Sequence, residues 1–486
     1  MAQRVIRYRS SGPAASGTAV HDPQGLLARF AAIRVELGVP TDFPPEVTAE
    51  ARRSASEVVL PDRDETAVPF CTIDPPGSMD LDQALHIARA GEGYRVRYAI
   101  ADVPSFVVPG GAVDTEARAR AVTVYAPDQR APLHPPELSE GAASLLPDQV
   151  RPAFVWDLTL DADGDITADG IALYAARVRS VDRFDYEHVQ AAIDAGTDDE
   201  RLTLLQEVGE KRIALERARG GASLPMPEQE VSQDASGDFV VRFRPPLAAE
   251  DWNAQISLMT GMAAATLMLA GRVGILRTMP PPDPGAVARF RRQARALGVE
   301  WPTGEAYGEF LRRLDRDKPK HLALVHEATS LFRGAGYTPF QGEVPAQPLH
   351  GAVAAPYAHV TAPLRRLVDR FGLVVCASLA AGEVVPDWVT EALPTLPDLM
   401  RSGDHKASGV DRACTDAVEA AVMLSHVGET FDASVVDAER KNLVVVQLSD
   451  PAVVDRARGT AELGAAVRVR VDSAEVAASS VQLSLV

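Results

Sequence analysis

Three aspartates in the segment CTIDPPGSMDLDQAL, residues 71–85, have the types and spacing of a metal site. Asp74 follows the apolar run VPFCTI, which is typical of a strand, and Asp80 and Asp82 come after a Pro-Pro-Gly turn. In an extended segment, positions i and i+2 share one side, so a turn that folds back brings all three carboxylates together. Because clustered like charges need a cation, and oxygen ligands favour hard metals, the pattern predicts magnesium or manganese.

A structural interpretation of the same segment stays open, because Asx-turns and helix caps also place aspartates in solvated loops. From the loop alone this interpretation is favoured. A second acidic run, DADGDITADG at 161–170, illustrates it. This run resembles a calcium-binding loop at three positions, but Ile166 replaces the required glycine and Ala172 the required glutamate. A hairpin turn is therefore predicted there.

Elements of both types surround the aspartate segment. Alternating apolar residues predict a hairpin around Gly91–Gly93, and a second hairpin is predicted around the DADGD turn. Apolar residues at helical spacing predict helices in the following segments, which together indicate a mixed α/β fold with a sheet flanked by helices. These helices are expected at 24–36, after Pro44–Pro45, at 202–219, 253–272, 284–298 and 306–316, and after Pro363.

The two ends of the chain differ from the middle in composition and in predicted secondary structure. Residues 1 to about 20 are rich in Ser, Gly and Ala, which predicts disorder. From Val427 onward, short strands linked by turns predict a compact five-stranded barrel of the oligonucleotide-binding type. We therefore divide the chain into an N-terminal region (1–65), a main domain (66–425) and a C-terminal barrel (426–486). Candidate phosphate contacts on this barrel are Arg440, Lys441, Arg456, Arg458, Arg468 and Arg470.

Composition limits the partners and the compartment. The net charge of −18 means that any nucleic-acid partner requires arginines concentrated locally, together with metal ions. Candidates are the arginines at 289–295, 312–316 and 365–370. The three cysteines form no CxxC pair, and we find neither a run of ~20 uncharged apolar residues nor an apolar signal core. We expect a cytoplasmic protein with no membrane partner.

Four segments, in order, resemble the ribonuclease II/R (RNB-domain) family of exoribonucleases. TIDPPGSMDLDQAL is similar to that family's aspartate-rich metal loop, and the long stretch from YAIADVPSF to RPAF is similar to the segment that follows it. YAHVTAPLRRLVDR resembles its arginine signature, and VGETFDASVV resembles the start of its C-terminal S1 domain. The chain resembles a short form of the family, because residues 1–66 are too short for its two cold-shock barrels.

The resemblance implies a metal-dependent hydrolase that degrades single-stranded RNA processively from the 3′ end to nucleoside 5′-monophosphates. Asp74, Asp80 and Asp82 fall on the family's metal-site aspartates, and Asp82 is expected to matter most for the chemical step. Gln83 falls on a fourth metal-site position. The implied cofactor is Mg²⁺, with Mn²⁺ as the alternative, and a monomer is expected.

The resemblance also assigns roles to residues outside the metal loop. Arg365 falls on the catalytic arginine, and an ion pair with Asp369 at i, i+4 is the structural alternative. Tyr125 falls on an aromatic that stacks a base near the RNA 3′ end, and a core strand tyrosine is the alternative. Arg366 and His359 are further candidates for RNA binding.

Departures from the family pattern leave two hypotheses open. The family's fourth metal-loop position is a carboxylate, whereas Gln83 brings an uncharged amide, and Ala362 replaces the serine of the arginine signature. The first hypothesis is an active exoribonuclease, for which Gln83→Asp is predicted to raise activity or metal affinity. The second is a catalytically degenerate member that acts as an RNA-binding or scaffold protein. An unrelated hydrolase has little support, since no G-x-S-x-G, P-loop or H-E-x-x-H motif is present.

Overall fold

The protein contains two closed five-stranded barrels with a largely helical region between them. A computed structural model describes residues 5–9, 18–19, 23–233, 239–438 and 442–486. The mixed α/β class and the C-terminal barrel predicted from the sequence are both confirmed.

The N-terminal region is more ordered than its composition indicates. We expected disorder up to about residue 20, but two stretches within it are strands that pair with strands from the middle of the chain. Residues 1–4, 10–17 and 20–22 lie outside the described residues. The elements of this region are β1 (Val5–Arg9), β2 (Thr18–Ala19), α1 (Pro23–Glu36) and α2 (Pro45–Glu57).

The first barrel carries the aspartate segment between its first two strands. Both predicted hairpins are present, and Asp161 Oδ1 closes the DADGD turn by accepting from the amides of Asp163 and Asp165. The sequence predicted a sheet flanked by helices. This sheet is a closed barrel, because its first and last strands pair in parallel. Its elements are β3 (Phe70–Ile73), β4 (Gln83–Ala90), β5 (Gly93–Ala101), α3 (Ala112–Arg120), β6 (Val150–Leu160) and β7 (Ile166–Phe184).

The middle region packs helices against this barrel. Its longest helix has fully buried residues such as Ile256 and Met259, in agreement with the burial predicted for 253–272. Among the described residues it is also the one helix with the length and hydropathy of a membrane span, and half of that apolar window is buried inside the fold. The elements are α4 (Tyr186–Asp194), α5 (Glu200–Ala218), β8 (Glu228–Gln233), β9 (Phe239–Arg244), α6 (Ala248–Gly271), β10 (Val273–Thr278), α7 (Pro284–Ala296), α8 (Tyr307–Arg312) and α9 (Pro319–Ala328).

The segment that carries the arginine signature comes next and ends in a helix of 29 residues. This helix packs against α1, against β9 and against the last two strands of the C-terminal barrel, so it links all parts of the fold. The elements are β11 (Gly336–Gln341), β12 (Leu349–His350), β13 (Ala355–Pro356), α10 (Leu367–Ala381), α11 (Asp387–Ala392) and α12 (Leu396–Leu424).

The C-terminal barrel has a core of small β-branched and aliphatic residues, of which Val435, Val446 and Val469 are fully buried. Alternation along short strands predicts such an interior. Arg440 and Lys441, two of the candidate phosphate contacts, lie outside the described residues. The strands are β14 (Thr430–Ala438), β15 (Leu443–Leu448), β16 (Val454–Arg458), β17 (Ala466–Glu475) and β18 (Ser480–Leu485).

Candidate active site

The aspartate segment is a loop that leaves β3 at Asp74 and enters β4 at Gln83. The amide of Asp74 donates to the carbonyl of Phe184 at the end of β7 (3.1 Å). The buried Ser144 hydroxyl accepts from the amide of Leu81 (2.9 Å) and donates to the carbonyl of Met79 (2.7 Å). Backbone groups at both ends of the loop are therefore satisfied by the barrel, and this holds its carboxylates in place.

Asp82 and Arg365 lie in direct contact. Arg365 Nε is 3.4 Å from Asp82 Oδ2, and the amide of Leu364 donates to Asp82 Oδ1 (2.7 Å). Asp82 is only 4% exposed, whereas the Arg365 side chain is 44% exposed. Burial raises the pKa of Asp82 well above its usual range, and the Arg365 charge and the Leu364 amide oppose that rise.

The arginine segment is fixed by backbone pairing with the chain that leads to Tyr125. The amide of Thr123 donates to the carbonyl of Arg365 (3.0 Å), and the amide of Leu367 donates to the carbonyl of Ala121 (2.9 Å). The two segments thus form a short antiparallel contact. This pairing places Tyr125 and Arg365 near the same aspartates.

Arg366, and not Arg365, pairs with Asp369. The Arg366 guanidinium donates through Nε and Nη2 to the two Asp369 oxygens (2.9 and 2.8 Å), and the amide of Ala362 donates to the same carboxylate (2.7 Å). The i, i+4 pair considered for Arg365 is therefore absent in the described structure. Arg366 shapes the turn before α10 and does not present a free cation for RNA.

Asp80 is held by a cation that sequence reasoning missed. Arg130 forms ion pairs with both Asp80 and Glu140, and the hydroxyl of Tyr125 lies 3.4 Å from Asp80 Oδ2. Tyr125 is 39% exposed, so it is not a core tyrosine. Its ring is accessible at the edge of the carboxylate cluster, where a base can stack. Arg130 stands five residues after Tyr125 in the run TVYAPDQR, and this proximity was the signal available in the sequence.

The electrostatics of the loop favour a cation. Burial, and next the charge of Asp80, raise the pKa of Asp74 to about 7, while Arg365 and Arg183 oppose that rise. The pKa of Asp82 is raised for the same two reasons. Asp74 and Asp82 both lie within the field of Asp80, so a positive ion bound nearby would stabilise their charged forms.

The side chains do not converge as the sequence predicted. Within the described part of the chain, no three His, Cys, Asp or Glu side chains form a group that could hold a metal ion. The donor chemistry of Asp74, Asp80 and Asp82, which is all oxygen and electrostatically coupled, still fits a hard divalent cation. Asp74, Asp80 and Asp82 are therefore the residues that would hold a cation if their side chains turned towards one another, and Asp80 would then be shared with Arg130.

Both ends of the Gln83 amide bind protein groups. Its Nε2 donates to the carbonyl of Thr361 (2.5 Å), and its Oε1 accepts from the hydroxyl of Tyr98 (2.6 Å). Gln83 therefore joins the metal loop to the arginine segment. Gln83 is thus a cross-link between the two halves of the site, and its role as a metal ligand stays a prediction.

His359 lies in the same segment as Arg365, and its ring nitrogen is engaged by the hydroxyl of a neighbouring tyrosine. Its Nδ1 is 2.8 Å from the hydroxyl of Tyr337, and its ring packs edge-on against Tyr337 and Tyr357. Burial, together with the charges of Arg366 and Arg277, lowers the pKa of His359 well below its usual range. A neutral His359 cannot offer a positive charge to a phosphate, which narrows its predicted role to hydrogen bonding.

Ser144, Tyr98 and the amide of Leu364 complete the set that sequence reasoning missed. Backbone amides leave no signal in a sequence, and buried Ser and Tyr are indistinguishable from core residues without a fold. An aspartate loop beside an exposed arginine and an accessible aromatic ring can hold a cation, a phosphate and a base. These residue types are the ones that contact the phosphates and bases of nucleotides.

Comparison with known proteins gives the family. The RNB domain matches residues 62–375, and the RNase II-type exonuclease C-terminal S1 domain matches residues 429–486. The chain belongs to the RNB-domain family. It is 27% identical over 435 residues to exoribonuclease 2 of Serratia proteamaculans, an alignment that covers 84% of this chain and 64% of that protein. The chain thus spans less than two thirds of that relative's length.

Two solved structures share the fold. RNase R of Mycoplasma genitalium, in complex with ribose-methylated single-stranded RNA, superposes with a TM-score of 0.84 at 18% identity, over 95% of this chain and 78% of that one. Yeast Ssd1, described as a pseudonuclease, superposes with a TM-score of 0.65 at 16% identity, over 90% of this chain and 56% of that one. One fold is thus found both in a ribonuclease and in a pseudonuclease.

Proposed function

We propose that this protein is a metal-dependent 3′→5′ exoribonuclease that hydrolyses single-stranded RNA to nucleoside 5′-monophosphates in the cytoplasm. The observation that carries the proposal is the contact of buried Asp82 with the exposed guanidinium of Arg365. Family membership and the RNA-bound relative of the same fold support it.

Each residue has a physical task in this reaction. Arg365, with nearly half of its side chain exposed, can donate to two phosphate oxygens and stabilise the charge that grows on them. The ring of Tyr125 can stack the terminal base without reading its identity. A magnesium ion bound by Asp74, Asp80 and Asp82 would supply an activated water and stabilise the leaving oxygen.

A time course with 5′-labelled single-stranded RNA tests the proposal, run with magnesium, with manganese and with chelator. We expect metal-dependent shortening from the 3′ end. Asp82→Asn retains the oxygen that accepts from Leu364 but removes the charge, so it should slow cleavage by about 100-fold or more while RNA binding persists. The control is Asp163→Asn, an exposed aspartate in the distant hairpin turn, which should be active. Equal loss of binding and cleavage in Asp82→Asn would show a structural role.

The second candidate is a family member that binds RNA without cutting it. The specific observation in its favour is the uncharged Gln83 amide, which falls on the family's fourth carboxylate position and is hydrogen-bonded to Tyr98 and Thr361. Intact RNA under every metal condition, with binding still detected by fluorescence anisotropy, would establish this candidate and refute the first.

A further inference from the structure

Tyr125 and Arg130 lie opposite each other in a small hairpin, residues 124–131, which we call the Tyr125 hairpin. The amide of Val124 donates to the carbonyl of Ala131 (2.9 Å), and the amide of Ala131 donates to the carbonyl of Val124 (2.7 Å). This register pairs Tyr125 with Arg130 as the next residues towards the tip. Both side chains contact the aspartate segment, so the conformation of the hairpin decides where the accessible ring lies.

The hairpin has a base and a tip that are held by different parts of the chain. At the base, the amide of Thr123 donates to the arginine segment. At the tip, Pro127 and Asp128 form a two-residue turn. The amide of Ala126 closes this turn by donating to the carbonyl of Gln129 (3.2 Å). A contact at the tip therefore fixes the hairpin at a second point.

Asp128 at the tip is bound by Arg34, 94 positions earlier, in the last turn of α1. Arg34 Nη1 donates to Asp128 Oδ1 (2.6 Å), and Nη2 donates to Asp128 Oδ2 (2.8 Å). Two parallel bonds from a planar guanidinium fix the direction of a carboxylate as well as its distance. The two side chains are only 7% and 12% exposed, so this pair is far less open to water than a surface ion pair.

Arg34 is itself held on a firm support. The helix α1 packs against α12, and the amide of Val39 donates to the carbonyl of Arg34 (2.9 Å) where the helix ends. A Cβ added at Gly409 of α12 would lie 3.3 Å from Leu37 Cδ1, so the end of α1 sits closely on α12. The C-terminal end of a helix also favours a positive charge such as that of Arg34.

We propose that Arg34 is a positioning residue for the active site. Its ion pair with Asp128 holds the tip of the Tyr125 hairpin, and the hairpin in turn holds the Tyr125 ring where the terminal base of the RNA stacks. The same anchor keeps Arg130 on Asp80. The proposal deepens the proposed function and rests on it, because it takes RNA as the ligand of the ring. It connects the N-terminal region to base stacking, although α1 itself contributes no group that touches RNA.

Base stacking can be measured with a short single-stranded RNA that carries 2-aminopurine at its 3′ end, since the fluorescence of this base falls when it stacks. The Asp82→Asn background slows cleavage, and Tyr125→Ala gives the signal without the ring. Arg34→Met keeps an unbranched side chain without the charge. We expect Arg34→Met to lose most of the quenching and to bind this RNA roughly tenfold more weakly. Adding Arg34→Met to Tyr125→Ala should cause little further loss, because both changes act through one ring.

A second variant guards against a folding defect. Arg34→Met leaves Asp128 buried without its partner, which is destabilising in itself. Arg34→Met/Asp128→Asn leaves no unpaired charge and should lose quenching to the same extent while it remains folded by thermal unfolding. In the cleaving protein, Arg34→Met should raise KM more than it lowers kcat, because stacking contributes mainly to binding.

The matched control is Arg29→Met on the same helix, which removes the contacts with Glu36 and Ser479 but leaves the Asp128 pair intact. Quenching near that of the parent in this control, with loss in both Arg34 variants, supports the proposal. An equal loss in the control overturns it, because loosening of α1 then explains the effect. Full quenching in the folded Arg34 variants also overturns it and leaves the proposed function intact.

The proposed function fails by a different result. If the parent protein leaves RNA intact under every metal condition, it is not an exoribonuclease, whereas the quenching comparison still decides the role of Arg34. If the parent and Tyr125→Ala quench equally, the ring does not stack the terminal base, and the positioning role of Arg34 is overturned with it.

Discussion

Gln83 and Asp82 are adjacent in the chain, yet they contact different atoms of the same remote segment. Asp82 accepts from the amide of Leu364, 282 positions later, and Gln83 donates to the carbonyl of Thr361. The aspartates themselves were predictable, because residue type and spacing carry their chemistry. Their partners were not, because no local pattern encodes a contact over such a sequence distance.

The geometry changes the expected effect of replacing Gln83 with an acid. Gln83→Glu keeps the length but places a carboxylate oxygen against the Thr361 carbonyl, which removes the donor and adds repulsion. We expect the turnover rate to fall about tenfold, equivalent to ~1.4 kcal/mol, with little change in KM. The sequence had indicated a gain for Gln83→Asp.

Steady-state kinetics of Gln83→Glu, Gln83→Asp and Tyr98→Phe separate these expectations. Tyr98→Phe removes only the hydroxyl that donates to Gln83 and should have a smaller effect. Higher activity or tighter metal dependence in either acidic variant would return Gln83 to the metal site. All three proteins must also retain the parent's unfolding temperature within a few degrees.

At the scale of elements, α6 approaches the arginine segment at a glycine. The carbonyl of Gly261 accepts from the amide of Ala358 (3.0 Å), and a Cβ at this position would lie 2.6 Å from the Ala358 carbonyl oxygen. Tyr357 and Ala358 begin the chain that runs to Arg365. The helix can therefore set the position of Arg365.

Gly261→Ala should displace this segment. We expect a loss of about 1–3 kcal/mol in the free energy of unfolding, because added atoms in a packed interior force a backbone shift. Activity should fall more than the loss of folded protein explains. Gly336→Ala is the control, since a Cβ there meets nothing within 4 Å. Urea unfolding and RNA cleavage rates of both variants test this, and unchanged cleavage in Gly261→Ala would contradict it.

The sequence patterns predicted the individual strands of the first barrel, but they did not predict that the barrel closes. Both hairpins of the first barrel followed from alternation and turn residues. The parallel pairing of β3 with β7, which closes the barrel, joins Phe70 to Ser180 and has no local signature. The strand β1 was missed for a related reason: its partner β8 begins at Glu228, while its own neighbourhood is rich in Ser and Gly.

For the whole molecule, a buried histidine couples stability to pH. His134 is 1% exposed, and burial, followed by the charge of Arg370, lowers its pKa to about 3. The unfolded chain binds a proton at this residue below about pH 6.5, whereas the folded chain does not. Stability is therefore fully present above pH 6.5 and falls on acidification, by about 2 kcal/mol for this group between pH 7.5 and pH 5.

Urea unfolding of His134→Gln at pH 5, 6 and 7.5 tests the coupling. The variant should lose about 2 kcal/mol of the parent's pH dependence, whatever its absolute stability. His405→Gln, at an exposed position on α12, should keep the parent's dependence. If the free energy of unfolding depended on pH in the same way in His134→Gln and in the parent, the acid sensitivity would come from other residues.

The helix α1 packs against a segment of the chain that is synthesised much later. The helix packs against α12, its buried residues include Leu26 and Ile33, and Arg29 donates to Ser479 in the turn between β17 and β18. About 360 residues separate the end of α1 from the start of α12. At ribosomal speeds of about 5–20 residues per second, the surface of α1 that packs against α12 waits roughly 20–70 s for this partner to be synthesised. The helix α1 therefore acquires this part of its packing only late in translation, once α12 has been synthesised.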